Sequence, residues 1–258
     1  VPLAMREYER DSLFLKKPIS SLLEGYKGSN KAEMNFQALF SHHAGIQPWL
    51  PFYRNTLRDN SDIPSKKLYR KKQKRRHKVQ VTDDLYLRTK YLAEMKEEIV
   101  DSPLLDSIYY KYSDLPFYMF KEYIEGRYGQ RMDMLVDKEY YHPIGASTMG
   151  YLPLNEVSDD QIVPSEIDDY YRHTEIKGYV HDMGAAMQNG VGGHAGLFSN
   201  ANDVAKLMQM FMQGGSYGGQ QFFLPSTISH FNKRYYQNEN NRSCLLYTSR
   251  AHETVRNL

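Results

Sequence analysis

Apolar positions recur at helical spacing in several separate stretches of this chain. Residues 1–25 are predicted to open as a helix, and "KKPISSLLEGY" follows as a turn in which Pro18 leads into a second short element. Residues 31–45, "KAEMNFQALFSHHAG", place Met34, Ala38 and Leu39 on one helical face and stop at Gly45. "IQPWLPFY" reads as an aromatic, proline-rich loop, and residues 84–100 and 114–129 read as helices. From Ser199, taken as the capping residue, Val204, Leu207, Met208 and Phe211 follow the i, i+3, i+4, i+7 pattern until Gly214 and Gly215. Between these helices, residues 140–182 are irregular and rich in Pro, Gly and Tyr, a length of loop that usually wraps a site. No internal repeat and few strands are expected, so the reading is of a mostly helical piece.

Composition narrows this picture only modestly. A hydrophobic fraction of 41% with 13% aromatic residues indicates a folded chain. The net charge of +2 is too small to dictate a partner. No run approaches the roughly 18 apolar residues of a membrane span. "VPLAMREYER" looks like the second half of a helix and lacks a leader pattern, so the start is read as a cut edge that carries no information on compartment. The single cysteine, Cys244, leaves no internal disulfide, which suits a cytosolic protein and a large periplasmic one equally.

The chemistry-bearing candidates divide into weak and strong ones. Nine of the thirteen residues from Lys66 to Lys78 are Lys or Arg. They are read as a solvated part of a loop insertion spanning 54–80; binding of nucleic acid or another anionic surface is the weaker reading, and no helix-turn-helix or stacking platform accompanies it. His173, Glu175, His181 and Asp182 are close in sequence but match no metal-ligand spacing, so no metal or other cofactor is expected. His42 and His43 are read as partly buried donors beside the Trp49 loop. In "KYSDLPFYMFKEYIE", Tyr112, Ser113 and Asp114 precede a helix; a hydroxyl and a carboxylate can project from that turn, or Ser113 or Asp114 can simply cap the helix. In "GGHAGLFS", Gly193 and its neighbours let the backbone around His194 approach a ligand or merely another segment.

Taken together, these stretches resemble the serine β-lactamase and penicillin-binding-protein superfamily, in particular its class C-like hydrolases and esterases. "LFSHHAGIQPW" is similar to the family's "LLTHTSGL" segment. "KYSDLPFYMFKEYIEGRYGQRMDMLVDKEYYHPIGASTM" and "GYVHDMGAAMQNGVGGHAGLFSNANDVAKLMQMFMQGG" resemble its Tyr-Ser-Asn and "GHAGLFST" blocks. The wording is also similar to β-lactamase-like domains that follow a glycoside hydrolase family 3 domain in some bacterial proteins. The resemblance implies an α+β, serine β-lactamase/transpeptidase-like fold of which this chain is the mostly helical part, occupying residues 1–243. It implies acyl-enzyme chemistry on amide, ester or β-lactam bonds, with a serine and lysine from an SxxK motif, a tyrosine that manages the proton, and a Lys/His-Thr/Ser-Gly strand that holds substrate.

By motif match Tyr112 takes the proton-handling position, a role that needs a phenol acidified by nearby cations, and Asp114 stands where the usual Asn orients the lysine and substrate. Ser113, Gly193 and His194 fall on substrate-facing positions. No serine in the chain is followed three residues later by lysine, and neither Lys-Thr-Gly nor His-Thr-Gly occurs. The chain by itself is therefore expected to be inactive. Its parent is expected outside the cytoplasm, acting on a small molecule or a cell-wall peptide, with no nucleic acid partner and no membrane span in this segment, and with an upstream glycoside hydrolase domain as a candidate neighbour. The alternative is a non-catalytic binding or accessory module of such a glycosidase. Finally, "CLLYTSRAHET" corresponds to a translated sequencing adaptor, TGTCTCTTATACACATCT and its continuation with one base skipped, so residues 244–258 are expected to be non-native.

Overall fold

The computed structural model describes residues 1–236. Cys244 and the expected adaptor tail lie outside the described residues. The helices are α1 (Pro2–Arg10), α2 (Ile19–Leu22), α3 (Phe36–Phe40), α4 (Tyr91–Asp101), α5 (Leu115–Tyr128), α6 (Met132–Val136), α7 (Met183–Ala186), α8 (Ala201–Met212) and α9 (Pro225–Phe231). The strands are β1 (Tyr69–Arg70), β2 (His77–Thr82), β3 (Leu85–Arg88), β4 (Glu166–Asp168), β5 (Thr174–Ile176), β6 (Ser216–Tyr217) and β7 (Gln220–Gln221).

The longest helix, α5, is the axis of the fold. Its buried face carries Leu115, Met119, Phe120, Tyr123 and Ile124, and it stops where Gly129 adopts φ +60° and donates its N–H to the Glu125 carbonyl. Phe120 meets the ring of Phe36 edge-on, with centroids 5.6 Å apart, and Phe36 in turn packs on Phe14 and Phe40 at 5.4 and 5.0 Å. This aromatic cluster locks α3 against α5, each favourable ring pair adding roughly 0.5–1.5 kcal/mol beyond its buried area.

Several expected elements differ from the observed ones, each for a local reason. The first helix ends at Arg10 because the Asp11 carboxylate accepts the Leu13 N–H at 3.0 Å, offering the backbone an alternative to another helical turn. The helix expected over 31–45 is confined to Phe36–Phe40, capped by Asn35 through the Ala38 N–H, so Met34 lies outside it. Part of the expected loop insertion, and the start of the helix expected from residue 84, form an antiparallel sheet in the order β1-β3-β2. Val79, Val81 and Leu87 alternate into the core there, a period of two that the surrounding lysines obscure. At α8 the cap is Asn200, whose side chain accepts the Asp203 N–H at 2.9 Å, not Ser199. The helix consequently turns Leu207 and Met210 inward and leaves Val204 and Met208 exposed.

Candidate active site

Two chain segments build the turn that carries Tyr112. His42 occupies the left-handed region at φ +56°, unusual for a residue with a Cβ, and the chain then reverses at Gly45, φ +65°. This brings residues 42–48 alongside residues 111–114. Lys111 N–H donates to the His42 carbonyl at 2.9 Å and Asp114 N–H to the Pro48 carbonyl at 3.2 Å. Ser113 is fully buried between them: its hydroxyl donates to the Gln47 carbonyl at 2.7 Å and accepts the Leu115 N–H at 3.2 Å. Ser113 thus fastens the turn and satisfies the first N–H of α5. Its side chain is occupied by these contacts inside the protein.

The neighbouring side chains point the other way. Tyr112 is 46% exposed, and its hydroxyl donates to Asp114 Oδ1 at 3.0 Å. Asp114 stands at the N-cap of α5 without capping it, so its carboxylate remains available to the tyrosine. The His42 ring lies 4.5 Å from the Tyr112 ring, and its Nδ1 accepts the Ser113 N–H at 3.3 Å. His42 is therefore an acceptor at Nδ1, which leaves its other nitrogen as the one able to donate.

Gly193 and His194 approach the first turn of α5 from the far side. A Cβ on Gly193 would fall 2.2 Å from the Phe117 carbonyl oxygen, so the missing side chain admits a neighbouring backbone. His194 stacks on Tyr118 at 4.6 Å and its Nε2 lies 2.8 Å from Asp182 Oδ1, an oxygen that also accepts the Ala185 N–H and caps α7. Burial opposes the Asp182 charge, but the His194 contact and the Ala185 N–H outweigh it and hold the carboxyl below its ordinary range. Burial, reinforced by the charges of Asp182 and Asp114, drives the Tyr118 phenol well above its usual value. Tyr118 thus keeps its proton. Tyr118 and Asp182 were not singled out as a pair in the sequence; the "HD" and "GGHAG" stretches, twelve residues apart at Asp182 and His194, held the only signal.

The His173–Asp182 stretch separates rather than converges. His173 reaches the Asp62 carbonyl, His181 pairs with Glu166, and Asp182 holds His194. Among the described residues no three His, Cys, Asp or Glu side chains are placed to hold a metal ion.

A cavity of about 100 Å³ lies beside this frame, lined by Val1, Leu3, Phe40, Phe117, Tyr151 and Gly193 among others. Phe117, which lines this cavity together with Val1 and Pro2, has its ring centroid 6.0 Å from that of His42.

The model of the Beta-lactamase family matches residues 3–243. The chain belongs to the Beta-lactamase family. A protein of Escherichia coli K12 described as "Putative D-alanyl-D-alanine carboxypeptidase" is 35% identical over 132 residues, covering 46% of this chain and 30% of that one. Among solved structures, a penicillin-binding protein homologue from Caulobacter crescentus superposes with a TM-score of 0.58 at 14% identity, over 91% of this chain and 58% of that one. The octameric penicillin-binding protein homologue from Pyrococcus abyssi gives 0.57 at 15%, over 91% and 46%. These likenesses establish the mixed α+β, β-lactamase/transpeptidase-like fold. The chain spans about half the length of these solved structures and less than a third of the curated relative.

Proposed function

We propose that this β-lactamase-family chain is the tyrosine-bearing region of a serine hydrolase that cleaves amide or ester bonds through an acyl-enzyme, with a D-amino-acid peptide as the leading substrate class. The observation that carries the reading is the Tyr112 hydroxyl, exposed, turned onto Asp114 and backed by the His42 ring at the mouth of α5. In that role the Tyr112 phenol passes its own proton to Asp114 as it takes the nucleophile's, and the same relay run in reverse protonates the leaving group. Asp114 also adds a negative charge that favours a neighbouring cation, such as a lysine of the nucleophile's own motif. The nucleophilic serine would precede α1, whose first residue, Pro2, lines a cavity with Phe117, the ring next to His42.

The reading is tested with a chromogenic cephalosporin, a short p-nitrophenyl ester and a D-alanyl-D-alanine peptide. The 258-residue chain is expected to turn over none of them, and an N-terminally extended chain carrying the source gene's preceding codons is expected to cleave at least one. Turnover by the extended chain that is unchanged in Tyr112→Phe would overturn the role given to Tyr112. An intact gene without a Ser-x-x-Lys would favour a binding or accessory role instead.

A further inference from the structure

The nine cationic residues between Lys66 and Lys78 are all exposed, and among the described residues none of them forms an ion pair. They do not sit on a floppy insertion. Lys74 and His77 exchange backbone hydrogen bonds of 3.1 and 2.9 Å, closing a tight turn at Arg75 and Arg76, and Thr89 N–H fastens the Arg76 carbonyl at 2.9 Å. The turn from Lys74 to Lys78 is thereby built onto one end of the β1-β3-β2 sheet, and Arg70 pairs beside Tyr86 within it. The acidic residues Asp83 and Asp84 form the turn at the opposite end, where Tyr179 donates to Asp83 at 2.6 Å. Over the whole sequence, the other 24 Lys and Arg face all 31 Asp and Glu, so a chain acidic elsewhere carries one concentrated basic pole.

We propose that this pole docks the protein on an anionic lipid bilayer. Six of the nine residues are Lys, compact and strongly hydrated point charges suited to a diffuse sheet of charge. Of the three arginines that could fork onto individual phosphates, Arg70 is turned back to its own backbone, donating to the Tyr69 carbonyl at 2.7 Å. The tip from Arg70 to Lys78 exposes no apolar or aromatic side chain, since His77 is buried. It has neither a wedge to insert into acyl chains nor a platform on which bases stack. Contact is therefore peripheral, made by field and counterion release, and no helix among the described residues is long and apolar enough to cross the bilayer.

The test is co-sedimentation of the 258-residue chain with phosphatidylcholine vesicles, with and without about one third phosphatidylglycerol, at low and at several-fold higher salt. The bound fraction is expected to rise at least tenfold with the anionic lipid and to collapse at the higher salt. The combined variant Lys71→Gln, Lys72→Gln, Lys74→Gln, Arg75→Gln should lose that preference while its circular dichroism and unfolding midpoint stay unchanged. Equal binding to both vesicle types, or binding that the folded variant retains, would overturn the proposal. So would a duplex DNA competitor that strips the protein from vesicles at equal phosphate concentration, because the pole would then prefer nucleic acid.

Discussion

The Tyr112 hydroxyl donates to Asp114 Oδ1 across 3.0 Å, so the phenolic proton is directed at a carboxylate two residues away. Both groups are on the solvent side of a turn whose rigidity comes from the buried Ser113 between them. Tyr112→Phe should therefore change unfolding free energy by no more than about 0.5 kcal/mol, as for other exposed positions. Ser113→Ala should cost about 1–3 kcal/mol, because it leaves the Gln47 carbonyl and the Leu115 N–H without their hydroxyl partner. Urea unfolding of the two variants checks the division of labour, and equal losses would contradict it.

Gly193 meets the Phe117 carbonyl so closely that no side chain fits. Gly193→Ala is expected to push the "GGHAG" loop off α5 and to destabilise by at least about 2 kcal/mol, the scale of overpacking in a filled core. In heteronuclear spectra the resonances of His194 and Tyr118, which stack beside it, should move most. An unperturbed spectrum would show that the loop and helix are not in register as described.

Arg172 and Asp168 form a fully buried pair at 2.5 Å, and the same guanidinium donates to the Val180 and His181 carbonyls at 2.7 and 2.6 Å. Burial alone would raise the Asp168 carboxyl, but Arg172 and the Tyr171 N–H outweigh it and leave the group below its ordinary value. A carboxyl lowered in the folded state binds fewer protons there than in the unfolded chain. Its stabilisation is complete above the unfolded value, near 4, and is lost as pH falls through the lower folded value. Urea midpoints should thus hold from pH 7 to 5 and drop below about 4, and Asp168→Asn should flatten that drop. Removing the partner in Arg172→Ala should cost about 3–5 kcal/mol at neutral pH, since it strands a buried charge.

The face that α8 turns inward gives a further check. Leu207 is buried and Met212 is 87% exposed. Leu207→Ala should cost about 2–4 kcal/mol, at the lower end if neighbours relax, whereas Met212→Lys should leave the unfolding midpoint unchanged. The opposite ranking would rotate the helix relative to this account.

What the sequence reveals of this fold follows how local each determinant is. Helix α5 is readable because its apolar run, Pro116 near its start and Gly129 at its end are all within one stretch. The sheet at residues 69–88 is harder, because two valines and a leucine supply the period-two signal inside a run dominated by charge. The α8 pattern is right at Leu207 and Phe211, which pack on the core, and misread at Val204 and Met208, because Met and Val satisfy a helical pattern equally well on the more exposed side. At the candidate site, the tyrosine and carboxylate are two residues apart in sequence and therefore visible together. The histidine that backs them is about seventy residues away and gains its role only through a left-handed turn at His42. Likewise Ser113 is indistinguishable in sequence from a substrate-facing serine, and only the approach of Gln47 settles its direction.

The most direct test of the central claim is the rate at which a fluorescent penicillin labels the protein extended by its source gene's preceding codons, compared between wild type and Tyr112→Phe. Covalent label is expected on a serine just upstream of α1, with labelling slowed about 10²–10⁴-fold when the phenolic hydroxyl is removed. Labelling at the same rate in both proteins, or no labelling of an intact, folded extension, would contradict it.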